Sequence, residues 1–201
     1  MEAAQSLLRD GIMPTVQQAA EAAKVSRATA YRYFPTQDSL VTEVMAVTPS
    51  TDVADEKLAR IDTEDPDERV LKVLDIFNPM CLEEEAPYRA ALRLYHDLWL
   101  EAHARRSSGD EANTPLRGGR RMKWLADASA ALREEMPEKT WQRMQYALAL
   151  TVSIDSITIM HDVCRIEDDE EVLGVLRWTA EAILRAAHEE AEAERAKAGR
   201  P

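Results

Sequence analysis

Apolar positions recur along this chain at three- and four-residue spacings almost from end to end, and they rarely alternate. That period belongs to helices with one buried face. Ala3, Ala4, Leu7 and Leu8 mark a first helix over residues 2–9, with Gly11 as its stop. Thr15, with Gln18 three residues on, makes a capping-box pattern. It opens a second helix with Val16, Ala19, Ala20 and Ala23 inward, small enough for the next helix to cross closely. Residues 24–26 read as a turn, with Val25 plugging the angle between helices and Ser26 capping a third helix over 27–34. Ala30 and Phe34 face inward there, which leaves Arg27, Ala28, Tyr31, Arg32 and Tyr33 mostly outward. Pro35 ends the helix, because the residue before a proline disfavours helical backbone. Thr36 caps a fourth helix to about residue 47, with Leu40, Val41 and Val44 inward.

Residues 48–51 read as a connector, followed by a weak helix over 53–61 and an acidic loop over 62–67. Val70, Leu74, Phe77 and Cys81 then recur at helical spacing, and Asn78-Pro79 predicts a kink or break. Pro87 opens a helix carrying the stripe Tyr88, Leu92, Tyr95 and Trp99. Residues 105–119 form the clearest loop. A helix over 120–135 follows, and Pro137 opens what reads as the longest helix, reaching about residue 163. Trp141, Leu148 and Asp155 lie seven apart on it. The last helix runs to about residue 193 with the stripe Val172, Leu176, Thr179, Ile183 and Ala186. The pattern predicts an all-α protein of about nine helices: an N-terminal helix-turn-helix lobe over 1–48 and a helical bundle over 49–201.

Composition supports the helical reading, since only 6 of 201 residues are glycine. No apolar run approaches the roughly 20 residues of a membrane span, and no secretory signal opens the chain. The expected location is the cytoplasm. Cys81 and Cys164 stand far apart and form no metal-ligand spacing, so two reduced, buried thiols and no metal are expected. Net charge is −12, against the grain of a nucleic-acid binder, but it is unevenly placed. Residues 1–48 hold four cations (Arg9, Lys24, Arg27, Arg32) against five acids, and residues 24–33 hold three cations and no acid. Such a local patch can meet phosphates while an acidic body faces solvent.

The stretch SRATAYRYFPTQDSL closely resembles the recognition-helix signature of the TetR family of transcriptional regulators, and TVQQAAEAAKV before it resembles that family's second helix and turn. The match covers about 30 residues; the rest is similar in helical architecture alone. The resemblance implies a homodimeric repressor, with residues 1–48 as the DNA-binding domain and 49–201 as the effector-binding and dimerisation domain, whose two recognition helices enter successive major grooves of a pseudo-palindromic operator and which is released when a small hydrophobic ligand shifts their separation. Twofold dimers of this kind read half-sites about 34–36 Å apart or a multiple of that. Lys24 stands where the family usually has Gly, and Gln37 where it often has a phosphate-reaching Lys. The basic arm that commonly precedes the first helix is also missing, which leads us to expect residues upstream of Met1.

The resemblance and the outward row together assign DNA contact to Thr15, Lys24, Ser26, Arg27, Ala28, Thr29, Tyr31, Arg32, Tyr33 and Gln37. Arginine suits a guanine edge or a phosphate, and tyrosine a phosphate or a thymine methyl. Thr15 and Ser26 serve equally well as caps alone. Candidate liners of an effector pocket are Phe77, Cys81, Tyr88, Leu92, Tyr95, Trp99, Trp124, Met144, Leu148 and Asp155, against the plainer reading that they pack the core. Asp155, on an apolar helix, calls for a partner: an Arg, a His, water, a cationic ligand or the dimer seam. The last two helices are expected to form the dimer interface, with Trp178 off the main stripe and exposed in a single chain. The fourth helix, alone in leaving the lobe, is the expected coupling element. A contrasting reading is a helical ligand-binding or dimeric protein with little DNA affinity. An enzyme is disfavoured, since no nucleophile elbow, phosphate loop or metal-binding helix occurs. No cofactor is called for.

Overall fold

The structure, a computed structural model, describes residues 1–46, 49–107 and 119–198. Among the described residues there are twelve α-helices, one π-helical turn and no strand. The helices are α1 (Glu2–Arg9), α2 (Val16–Ala22), α3 (Arg27–Tyr33), α4 (Gln37–Ala46), α5 (Pro49–Ala59), α6 (Pro66–Glu83) and α7 (Glu85–Ser107). Then come α8 (Arg120–Ala128), α9 (Ala130–Glu135), α10 (Glu138–Leu148), α11 (Ile154–Thr158), the π turn Ile159–Val163 and α12 (Asp169–Ala198). None is long and apolar enough to cross a membrane. The chain divides into two compact units, Met1–Thr51 with Glu83–Arg117, and residues 52–82 with 118–201.

In the first unit, local chemistry sets the short helices. Thr15 accepts from the Gln18 backbone at 3.1 Å while the Gln18 side chain accepts from the Thr15 backbone at 3.0 Å, closing the capping box. Ser26 caps α3 by accepting from Thr29 N at 3.1 Å, and Thr36 caps the start of α4 by accepting from Ser39 N at 3.1 Å. Ala4, Leu8, Val16, Ala20, Ala30, Leu40 and Val44 form the core, with Ala19 and Phe34 packed against it. One member comes from far along the chain: Ala90 of α7 is buried in the same cluster. Helix α7 packs on both α1 and α4, and Arg9 pairs with Glu84 at 3.1 Å. The fourth helix is therefore not alone in linking these helices to later sequence. Val25 does not plug the turn; it is 46% exposed.

In the second unit the structure departs from the periodic reading where tertiary hydrogen bonds override it. Helix α6 continues through Asn78-Pro79 instead of breaking. Asn78 is buried, and its Nδ2 donates to the Thr151 carbonyl at 2.9 Å. The single helix expected over 120–135 divides at Ser129, whose hydroxyl donates back to the Leu125 carbonyl at 2.8 Å. The helix expected to run from Pro137 to residue 163 is broken after Leu148 and restarts when Ser153 caps α11. Helix α12, with 30 residues, is longer and reaches Ala198. Its buried line is Val172, Leu176, Ala180, Leu184, Ala187 and Ala191; Thr179 and Ile183 are half-buried and Ala186 is exposed. The expected stripe thus drifts off the core face in its second half. Of the expected connector at 48–51, residue 48 lies outside the described residues, and Pro49 already begins α5. The long loop was expected from 105; α7 runs on to Ser107, and 108–118 lie outside the described residues.

Candidate nucleic-acid interface

The turn between α2 and α3 is built around Lys24. Its backbone is left-handed, with φ 56°. This closes the α2 end, where Lys24 N donates to Glu21 O at 3.1 Å and Val25 N to Ala20 O at 3.0 Å. A lysine in this conformation is strained by about 1–2 kcal/mol relative to ordinary helical backbone. The turn leads directly into α3, which buries only Ala30. All ten residues expected at DNA are exposed: Thr15, Lys24, Ser26, Arg27, Ala28, Thr29, Tyr31, Arg32, Tyr33 and Gln37. Tyr33 is 66% exposed, with the Arg32 guanidinium over its ring at 5.2 Å from the centroid. That contact holds a cation and an aromatic face together before any partner arrives.

Three of the ten, Thr15, Ser26 and Thr29, have their hydroxyls engaged within the chain. Thr15 donates to the Gln18 side chain at 2.9 Å, and Ser26 shares a 2.8 Å hydrogen bond with Thr29. Arg27 is engaged too, by a residue the sequence reading passed over. Its Nη2 donates to Glu21 Oε1 at 2.9 Å, and Gln17 donates to the same oxygen at 3.0 Å. Hydrogen bonds from Gln17, and then from Arg27, hold the Glu21 carboxyl below the usual glutamate range. The signal was faint: a Gln and a Glu four apart on α2, and an Arg six residues further on across a turn.

The residues expected at an effector pocket divide between the two units. Tyr88, Leu92, Tyr95 and Trp99 lie on α7 in the first; Trp99 is 49% exposed and stacks on His103 with ring centroids 5.1 Å apart. Phe77, Cys81, Trp124, Met144, Leu148 and Asp155 lie in the second. There Phe77 and Trp124 meet with centroids 5.1 Å apart, and Met144 and Leu148 are buried. Burial pushes the Cys81 thiol well above its usual range, while Cys164, expected to be buried, is exposed. Asp155 is half-buried beside Arg121, 3.8 Å away, whose guanidinium also donates to the Val152 carbonyl at 3.1 Å. Since the helix is broken before Asp155, it does not continue the line of Trp141 and Leu148. A cleft of about 430 Å³ lies among α5, α6 and α8, floored by Leu58, Ile61, Val73 and Trp124 and rimmed by Arg69, Lys123, Asp55 and Asp127. Of the expected liners only Trp124 reaches it, with its indole N–H donating to Asp55 at 2.6 Å.

In the second unit α10 and α12 pack on each other, and these two helices, the turn after α10 and the π turn leave large apolar side chains in solvent. Tyr146 is 66% exposed, Leu150 74%, Val163 73% and Trp178 67%. Compared with known proteins, the chain matches no family model, no curated sequence and no solved structure.

Proposed function

We propose that the protein is a ligand-responsive, DNA-binding transcriptional regulator, a repressor that binds a pseudo-palindromic operator as a homodimer and is released by a small hydrophobic ligand. One observation carries this reading: a capped seven-residue helix, set off by a left-handed turn, that buries one residue and turns Arg27, Tyr31, Arg32 and Tyr33 to solvent. Arginine and tyrosine at such density on an otherwise acidic chain match the chemistry of phosphates and base edges. Lys24 and Arg32 serve phosphates, and Arg27, the first residue of α3, reaches the bases. The exposed apolar side chains of α10 and α12 support pairing of two copies, and the cleft against Trp124 offers an apolar floor to an effector. A ligand that favours the non-binding spacing of the two recognition helices by a few kcal/mol releases the operator.

The test is binding of fluorescent promoter duplexes over a range of salt. Four phosphate-facing cations in a dimer give a log–log salt slope of about −4. A sequence-dependent complex with a slope of that order supports the reading; binding that is absent, or equal on every duplex, refutes it. The contrasting reading, a helical ligand-binding protein with little DNA affinity, draws on the net charge of −12 and on Gln37 in place of a cation. The same titration separates the two.

A further inference from the structure

Glu21 is the only acid between residues 11 and 37, and it stands beside the row of cations. A carboxylate close to DNA repels phosphate and weakens binding to every sequence alike. Its pair with Arg27 is exposed, with side chains 60% and 58% accessible, and exposed pairs add little to stability. Neither stability nor overall affinity accounts for an acid here, whereas orientation of Arg27 does.

The geometry is that of a relay. Gln17 donates to Glu21 Oε1 at 3.0 Å and so fixes the carboxylate on α2. The same oxygen accepts from Arg27 Nη2 at 2.9 Å, which fixes the guanidinium at the start of α3. A guanidinium presents five N–H groups in a rigid fork, so one engaged N–H leaves an edge with two parallel donors. Guanine offers O6 and N7 to such an edge in the major groove. Holding the long side chain in one place removes the ordering penalty it would otherwise meet on binding. The negative charge also turns Arg27 away from phosphate, which would satisfy it equally well on any sequence.

Resting on the DNA-binding reading above, we infer that Glu21 is a positioning residue for base readout: it holds Arg27 to read a guanine in each half-site and bars it from phosphate. The experiment selects preferred sites from a randomised duplex pool with full-length wild type, Glu21→Ala, Glu21→Gln, Arg27→Ala and the double variant Glu21→Ala with Arg27→Ala. Affinity for one unrelated duplex is measured alongside, and circular dichroism verifies the fold. The wild type selects guanine at one position per half-site, and Arg27→Ala loses that preference by about fivefold to a hundredfold. Both Glu21 variants weaken preference at the same position by about twofold to fivefold, the range an exposed pair can supply, while their affinity for the unrelated duplex holds or rises. The double variant is no worse than Arg27→Ala. A Glu21 variant that keeps the full guanine preference overturns the inference, as does an Arg27→Ala protein that selects unchanged sites. Wild type that selects no sequence removes the DNA-binding reading itself.

Discussion

Lys24 carries backbone strain that a single substitution can release. At φ 56° a side chain meets the backbone, and glycine does not. Glycine also loosens the unfolded chain, at a penalty of about 0.5–1 kcal/mol. Lys24→Gly is therefore expected to stabilise the protein by a net of about 0.5–1 kcal/mol in urea unfolding, and Lys24→Ala, which keeps a Cβ, to change it by a few tenths at most. The two cysteines form a second residue-scale contrast. Iodoacetamide at neutral pH is expected to label Cys164 in the native protein and to leave Cys81 unlabelled until denaturant is added, because Cys81 is buried with its thiol held in the unreactive form. Equal native labelling, read by mass spectrometry, would contradict this. The caps at Thr15 and Ser26 were legible from sequence because their bonds span three residues and need no tertiary contact. The Glu21–Arg27 pair was not legible, since a spacing of six makes contact only at the crossing angle this turn imposes. For Glu21 the sign of pH dependence follows from its lowered carboxyl pKa: the pair's stabilisation is present above the ordinary glutamate range and is lost as pH falls through the lower, folded value. In Arg27→Ala the Glu21 resonance, followed by NMR, is expected to titrate higher than in wild type, though still below the ordinary range because Gln17 remains.

Helices here are continuous or broken according to what their side chains do for a neighbour's backbone. The apolar period runs on from 141 to 163, so sequence periodicity alone predicts a single helix. The break after Leu148 exposes carbonyls that a helix would have satisfied, and other elements supply the donors: Asn78 of α6 to Thr151, and Arg121 of α8 to Val152. These contacts link residues 73 and 31 positions apart, which no local pattern reports. Helix α6 runs on through Pro79 although proline supplies no N–H to the preceding turn, and this continuity keeps Asn78 on the face that meets Thr151. Removing either donor leaves a buried carbonyl unpaired. Asn78→Ala and Arg121→Met are each expected to destabilise the second unit by about 1–3 kcal/mol in urea unfolding. Asn78→Leu, which refills the volume, is expected to recover less than half of that loss, because the orphaned carbonyl remains. Full recovery would mean that packing, not the hydrogen bond, holds the break.

For the whole molecule, the proposed dimer and the proposed operator complex make opposite demands on salt. Each chain carries a net charge of −12, so two copies brought together repel. Pairing must then rest on apolar contact, for which Tyr146, Leu150 and Trp178 are available in solvent on or just beyond α10 and α12. A stable interface buries at least about 1,000 Å² in total, and two or three large side chains from each chain would form its centre. Screening by salt weakens the repulsion without touching the apolar term, so dimerisation is expected to strengthen between 50 and 500 mM salt, as the Debye length falls from about 14 Å to about 4 Å. Operator binding over the same range weakens, because counterions compete for phosphate. Sedimentation velocity at low micromolar protein reads the first trend and fluorescence anisotropy the second. Trp178→Glu and Leu150→Glu would place charge in the centre of the proposed seam and are expected to give a folded monomer at every salt concentration, with operator affinity reduced because half-sites are then bound singly. A wild-type protein that stays monomeric at high salt would refute the dimer, and variants that remain dimeric would move the interface away from α10 and α12.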